Sequence, residues 1–95
     1  MFMAKNDDSL IYIGRKRAMN YVLAAMVVLG DKKPIKLLAR GRSISRAVDV
    51  GEILLRTFSK GSSYGKIYLG TEEITNKDGT KSNVSAIEIE ILPPK

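Results

Sequence analysis

The sequence predicts an α/β (α+β) two-layer sandwich of order β-α-β-α-β-β, with both helices on one face of a four-stranded mixed sheet. Two observations lead to this fold class. In the first half, two short β-rich runs each end in a glycine-containing basic turn that leads into a long helical segment. In the second half, two further β-rich runs flank a polar segment with an Asp-Gly turn signal. Each β-α-β crossover is expected to bring parallel strands together.

The first strand and helix follow from local composition. Residues 10–13 (Leu-Ile-Tyr-Ile) are typical of a short strand that ends at Gly14. Residues 18–29 are apolar except for Asn20, and Gly30 follows as a stop signal, so this segment is predicted to be a helix. Because the helix is apolar around its circumference, it needs cover on more than one side.

The second strand and helix follow the same plan. Residues 35–40 are predicted to form a strand, and Ser43 can cap a helix that runs to about Phe58. One apolar stripe of this helix has helical spacing: Ile44, Ala47, Val48, Gly51, Leu55 and Phe58. A second apolar face is formed by Val50, Ile53 and Leu54. This breadth indicates either a well-buried core helix or self-association through Val50, Ile53, Leu54 and the region near Phe58.

The last third of the domain reads as a hairpin. Residues 60–65 are predicted to form a loop, followed by strands over residues 66–74 and 83–92. Residues 75–82 form the polar tip, which has few anchoring side chains and is expected to be mobile. Its Lys77 and Lys81 are either solvated charges or phosphate contacts of a two-stranded arm lying in a nucleic-acid groove.

Composition narrows the functional class. We expect residues 1–8 to form a disordered tail and residues 9–95 a single domain. With no signal peptide or membrane-spanning run, the expected location is cytoplasmic. The net charge of +6 and a pI near 9.7 favour nucleic acid as the partner, with no membrane contact.

Catalysis, metal binding and cofactors are not predicted. The chain has no histidine and no cysteine, which removes the commonest general base and the commonest metal ligands. Two acidic pairs lie in the predicted strands, Glu72 with Glu73 and Glu88 with Glu90. We expect the second pair to balance Lys36 and Arg40 on a neighbouring strand.

The two strand–turn–helix junctions carry the main functional signal. If their strands are parallel, both junctions lie at one edge of the sheet, next to two helix N-termini that attract phosphate. The alternative is a set of ordinary solvated charges. The Walker and dinucleotide-binding patterns are absent, so a mononucleotide site has little support. Six cations would gather at this edge: Arg15, Lys16, Arg17, Arg40, Arg42 and Arg46.

These junctions carry a family resemblance. Residues 13–24 resemble the first turn and helix of the Alba (Sac10b) chromatin proteins of archaea, and residues 39–49 are similar to their second signature. The segments before and after the hairpin tip, residues 70–73 and 84–89, match as well. The resemblance covers residues 9–92, nearly the whole chain.

The resemblance implies a homodimer that packs through the second helix and the last strands. It also implies that two first turns form a central basic saddle on DNA while the hairpins follow the minor groove. Binding would be largely independent of sequence and would extend to RNA. The matching positions are Arg15, Lys16 and Arg42 in the saddle, Lys77 and Lys81 in the hairpin, and Phe58 as the aromatic that joins dimers on DNA.

The chain departs from the family pattern in the first turn. The lysine whose acetylation weakens DNA binding in the family corresponds to Arg15, which leaves Lys16 as the candidate modification site. Arg17 replaces a proline and adds a charge.

The sequence therefore predicts a chromosome-associated, sequence-independent double-stranded DNA-binding protein that coats and compacts DNA as a dimer and also binds RNA. The alternatives are an RNA-binding ribonucleoprotein subunit or RNA chaperone, a scaffold subunit of a protein complex, and a nucleotide-binding enzyme.

Overall fold

The computed structural model describes residues 9–95, so the predicted tail over residues 1–8 lies outside the described part. The element order is the predicted β-α-β-α-β-β, with a π-helical turn after the second helix. The elements are β1 (Leu10–Tyr12), α1 (Ala18–Gly30), β2 (Ile35–Arg40), α2 (Ser43–Ile53), the π-helical turn (Leu54–Phe58), β3 (Ser63–Thr75) and β4 (Lys81–Leu92).

The four strands form one mixed sheet, as predicted, and their order in the sheet is β1-β2-β4-β3. β1 is parallel to β2, whereas β4 is antiparallel to both β2 and β3. β4 therefore lies between β2 and β3. The second crossover does not make parallel neighbours, because the returning strand of the hairpin takes the place beside β2.

Both helices pack on one face of this sheet. Alternate residues of β2, namely Ile35, Leu37 and Ala39, share the core with the three isoleucines of β4. From the helices, the core includes Val22, Ala25, Ala47, Val50 and Leu54. Since side chains alternate across a strand, the opposite face, here called the open face, carries Lys36, Leu38 and Arg40 of β2.

Val50 and Leu54 were candidate self-association residues, and the structure supports the alternative, a core surface. Both side chains are completely buried in the core of the chain itself. Ile53 is half-buried against that core, and Phe58 is exposed. The second apolar face of α2 is therefore mostly a core surface, because this helix packs against both the sheet and α1.

The ends of two elements also differ from prediction. Ser43 is the first residue of α2 rather than its cap; Arg42 takes the cap position, and no side chain caps the helix. The helix does reach Phe58, but its final turn is π-helical, and Ser59 N–H donates to the carbonyl of Leu54 at 2.6 Å.

β3 begins at Ser63, inside the predicted loop. A register shift between Tyr64 and Ile67 marks a bulge in its pairing with β4. There the backbone N–H of Lys66 donates to Glu90 Oε1 at 3.1 Å, and a Cβ at Gly65 would overlap the same carboxylate. The glycine makes room for the acid that holds the bulge.

The long β3–β4 hairpin gives the molecule its longest dimension of 46 Å. Its tip is better anchored than predicted. The Asn76 amide donates to the hydroxyls of Thr80 and Ser82, and Thr80 donates through its N–H and its hydroxyl to Asp78. The two bonds from Thr80, the hydroxyl bond first, lower the pKa of Asp78. Short polar side chains therefore organise the tip without help from the core.

We predict that Leu37→Ala destabilises the protein by about 2–5 kcal/mol, because Leu37 is fully buried between the sheet and the helices. Val27→Ala is the control, since Val27 on α1 is 70% exposed and its truncation should change stability by less than about 0.5 kcal/mol. Denaturant unfolding at one protein concentration measures both. Equal unfolding midpoints for the two variants would contradict this description of the core.

Candidate nucleic-acid interface

The two basic junctions lie side by side, as the sequence predicts for parallel strands. Tyr12 of β1 is in register with Leu38 of β2, so both strands end at the same edge of the sheet. The two junctions are also joined directly, because Arg46 of α2 donates to the carbonyl of Gly14 at 3.0 Å. The second junction is fixed to β4 by a bond from Gly41 N–H to the Ser85 carbonyl at 2.8 Å.

The first turn is held by a residue that the sequence reasoning did not select. The buried Tyr21 hydroxyl accepts hydrogen bonds from the N–H groups of Gly14 at 2.8 Å and Lys16 at 3.0 Å. The one signal in the sequence is a tyrosine in an otherwise apolar helix, since a buried hydroxyl requires a partner. Positive φ occurs at Gly41 (53°) but not at Gly14, so the two turns use their glycines differently.

Four of the six predicted cations are exposed at this edge and form no ion pair within residues 9–95. We call them the basic rim: Arg15, Lys16, Arg17 and Arg42. They surround the N-termini of α1 and α2, and neither helix has a side-chain cap or an acidic residue in its first turn. The positive ends of both helix dipoles therefore add to the charge of the rim.

The other two predicted cations, Arg40 and Arg46, have partners inside the protein. Arg46 donates to the Gly14 carbonyl and thus acts as a tether between the junctions. Arg40 pairs with Glu72 on β3, with 3.3 Å between Nη1 and Oε1. Arg40 is paired but more than half exposed, and Arg46 keeps its charge because its partner is a neutral carbonyl, so the role of both in nucleic-acid binding stays a prediction.

The Arg40–Glu72 pair spans β4 on the open face. Arg40 is in register with Ala86, which is in turn opposite Gly70, so no long side chain blocks the path of the guanidinium. The expected balance with β4 is confirmed for Lys36, which lies 3.7 Å from Glu88. For Arg40 it is wrong, because Glu72 is its partner.

The two hairpin lysines have different surroundings. Lys77 is exposed at the tip and has no ion pair within the described chain. Lys81 lies 3.4 Å from Glu73, and both side chains are exposed. Such a surface pair is weak, so Lys81 can exchange its partner for another anion at little cost.

A cleft of about 490 Å³ opens between the basic rim and the open face of the sheet. Its walls bring together apolar, aromatic and charged groups from three strands and the first turn. Six of the lining residues are Tyr12, Gly14, Arg15, Leu38, Arg40 and Glu72.

An apolar patch lies on β3 beyond the cover of the helices. Ile67 and Leu69 are in register with core isoleucines of β4 and so point to the helix side, yet they are 51% and 78% exposed. Close by, Tyr64 donates to Glu52 of α2 at 2.6 Å. Partial burial, and then the bond and charge of Glu52, raise the pKa of Tyr64. The patch thus borders α2 without being covered by it.

The described chain contains no candidate metal site and no candidate membrane-spanning helix. Among residues 9–95, no three acidic side chains are grouped closely enough to hold a metal ion. None of the helices in this range has the length and apolar character needed to cross a bilayer.

Comparison with known proteins gives one consistent result. The model of the family described as Alba matches residues 9–71. The chain is 41% identical over 90 residues to the DNA/RNA-binding protein Alba of Methanocella arvoryzae, covering 94% of each chain. It is 44% identical over 90 residues to the protein of the same name from Nitrosopumilus maritimus, covering 94% of this chain and 95% of the relative.

Solved structures agree with the fold. Alba from Thermoplasma volcanium superposes with a TM-score of 0.82 at 42% identity, covering 87% of this chain and 98% of that one. ALBA1 from Trypanosoma brucei shares the fold with a TM-score of 0.75 at 22% identity, covering 96% of this chain and 74% of that one. With a family model matching more than half of its length and relatives above 40% identity over nearly all of it, the chain belongs to the Alba family.

Proposed function

We propose that the protein binds the phosphate backbones of double-stranded DNA and of RNA through the basic rim, largely without regard to sequence. The observation that carries this proposal is the rim itself, four exposed cations without internal ion-pair partners in the described chain, around two uncapped helix N-termini. Such a surface attracts phosphate, and phosphate contacts carry no sequence information. The names of the two relatives, both DNA/RNA-binding proteins, support it.

We also propose that the active form is a homodimer built on the apolar patch. Ile67 and Leu69 are large apolar side chains left in water on an otherwise well-packed fold, which is typical of a contact surface. Pairing two copies through α2 and the last strands would cover them. It would also set two basic rims beside one another and so double the charge that faces the nucleic acid.

The hairpin and Phe58 are assigned to wider contacts of this dimer. The hairpin projects along the 46 Å axis of the molecule, and its exposed Lys77, with Lys81, would reach phosphates along the minor groove. Phe58, 43% exposed at the end of the π-helical turn, would join neighbouring dimers into a coat that compacts chromosomal DNA.

Lys16 is the proposed modification site. It is the one lysine of the basic rim, and its side chain is exposed. Acetylation there would remove one rim charge, whereas Arg15 keeps its charge under the same chemistry.

An RNA-first role is the second candidate, as a ribonucleoprotein subunit or RNA chaperone. Both relatives carry RNA in their names, and both backbones are polyanions. Competition between duplex DNA and structured RNA at matched salt separates the two roles.

We predict a steep salt dependence of duplex binding. If a dimer neutralises roughly six phosphates, the logarithm of the binding constant should fall with the logarithm of salt concentration at a slope of about −5. Fluorescence anisotropy over a salt series measures the slope for two unrelated duplex sequences. A slope near zero, or a large difference between the sequences, would contradict backbone binding.

We predict that removing a cation weakens nucleic-acid binding more when the cation has no carboxylate partner in the protein. Lys16→Ala and Arg42→Ala should weaken binding to every duplex alike, and each should make the salt slope shallower by about 1 for every phosphate that is no longer neutralised. Arg40→Ala should have a smaller effect, because Glu72 already neutralises Arg40. The matched control for Lys16 is Lys33→Ala, an exposed lysine at the opposite edge of the sheet. Equal effects of Lys16→Ala and Lys33→Ala would mean that net charge alone controls binding.

We predict that Leu69→Lys converts the dimer to monomers, because it places a charge in the centre of the apolar patch. Val27→Lys, on an equally exposed side chain of α1, should leave the dimer intact. Sedimentation velocity without nucleic acid measures both variants. A dimer that survives Leu69→Lys would place the interface elsewhere.

A further inference from the structure

The cleft beside the basic rim has features that backbone binding does not use. We propose that it binds one unpaired guanine of single-stranded RNA or DNA. The proposal rests on the proposed function in one respect, since the basic rim would deliver the strand to the cleft.

Glu72 lies in the cleft wall, and its side chain is only 12% exposed. Its Oε1 accepts a hydrogen bond from the Arg40 guanidinium. Its Oε2 is buried and accepts no hydrogen bond from the described residues. Buried carboxylate oxygens almost always have donors, because an unpaired one loses the hydrogen bonds that water would supply. The cleft therefore has an unmet requirement for a hydrogen-bond donor.

A metal ion is not the missing partner of the Glu72 carboxylate. Glu72 is the one carboxylate in the cleft wall, and no group of three potential ligands exists in the described chain. Arg15 and Arg40 line the same cleft and would repel a cation. The missing partner is accordingly an N–H or O–H group of a molecule that is itself compatible with two arginines.

The side chains that line the cleft indicate the class of molecule that it binds. The Tyr12 ring is half exposed and forms the cleft wall with Leu38, which suits a flat aromatic group. The Arg15 guanidinium can bind a phosphate group, and the Glu72 carboxylate requires hydrogen-bond donors. A nucleotide combines a flat ring, ring donors and a phosphate. The volume of about 490 Å³ lies within the range of small-molecule sites.

The Glu72 carboxylate favours guanine over the other common bases. Guanine alone among the common bases presents two adjacent N–H donors, at N1 and at its 2-amino group, and a carboxylate can accept both. The Arg40–Glu72 separation of 3.3 Å is long for a charge-assisted bond, and Arg40 is 56% exposed. Arg40 can therefore turn to the phosphate of the bound nucleotide, which uncovers the Glu72 carboxylate.

Base pairing occupies these donors in a duplex. The cleft would thus leave duplex binding independent of sequence and add a preference for guanine in single strands, where base edges are open.

The test compares short oligouridines that differ at one central position, which holds guanosine, inosine or uridine. Inosine lacks the 2-amino group of guanosine. Fluorescence anisotropy at fixed salt should show about tenfold tighter binding of the guanosine oligomer than of the uridine oligomer, with inosine in between. Equal affinities for guanosine and uridine would overturn the proposal, and would leave the proposed function standing if duplex DNA still binds.

The variants are Glu72→Gln and Glu73→Gln, which remove the same charge from neighbouring residues on opposite faces of β3. Glu72→Gln should abolish the guanosine preference, whereas Glu73→Gln should keep it. Duplex affinity should be retained or increased in both, because each substitution releases a cation, Arg40 or Lys81, and removes none. Retained duplex binding also reports that each variant is folded. Disappearance of the preference in both variants would overturn the cleft assignment, and failure of the unmodified protein to bind duplex DNA would overturn the proposed function as well.

Discussion

The parallel pairing of β1 with β2 is the constraint on which the candidate site depends. It brings the ends of both strands to one edge of the sheet, so that two turns far apart in the sequence become neighbours. The bond from Arg46 to the Gly14 carbonyl then fixes one turn against the other, and the Tyr21 hydroxyl fixes the first turn internally. A cationic surface needs such internal support, because its like charges repel one another.

For the binding of a polyanion, the positions and partners of the cations matter more than the net positive charge of the chain. On the open face, Lys36 faces Glu88 and Arg40 faces Glu72, so these cations are largely neutralised. At the basic rim, the cations form no ion pairs within the described chain. These cations also lie at the N-termini of two helices, so their charge and the two helix dipoles add to one positive potential at this edge.

The position of β4 explains the remaining features. Because β4 lies between β2 and β3, the edge strand β3 extends past the two helices and leaves Ile67 and Leu69 without cover. The same order places Glu72 within reach of Arg40 across the short side chains of β4. The apolar patch assigned to the homodimer and the cleft assigned to guanine are thus two consequences of one strand insertion.

The element order, the mixed sheet and the basic character of the two turns could be predicted from the sequence, because they follow from short-range patterns of apolar residues, glycine and charge. Which cations have partners depends on contacts between distant residues, and these required the folded structure. Arg40 and Glu72 are 32 positions apart, as are Arg46 and Gly14, and no local pattern records such a pair. For the same reason, the apolar width of α2 could not distinguish a core contact from an interface. Val50 and Leu54 are core residues because the helix packs against both α1 and the sheet, and this packing depends on the whole fold.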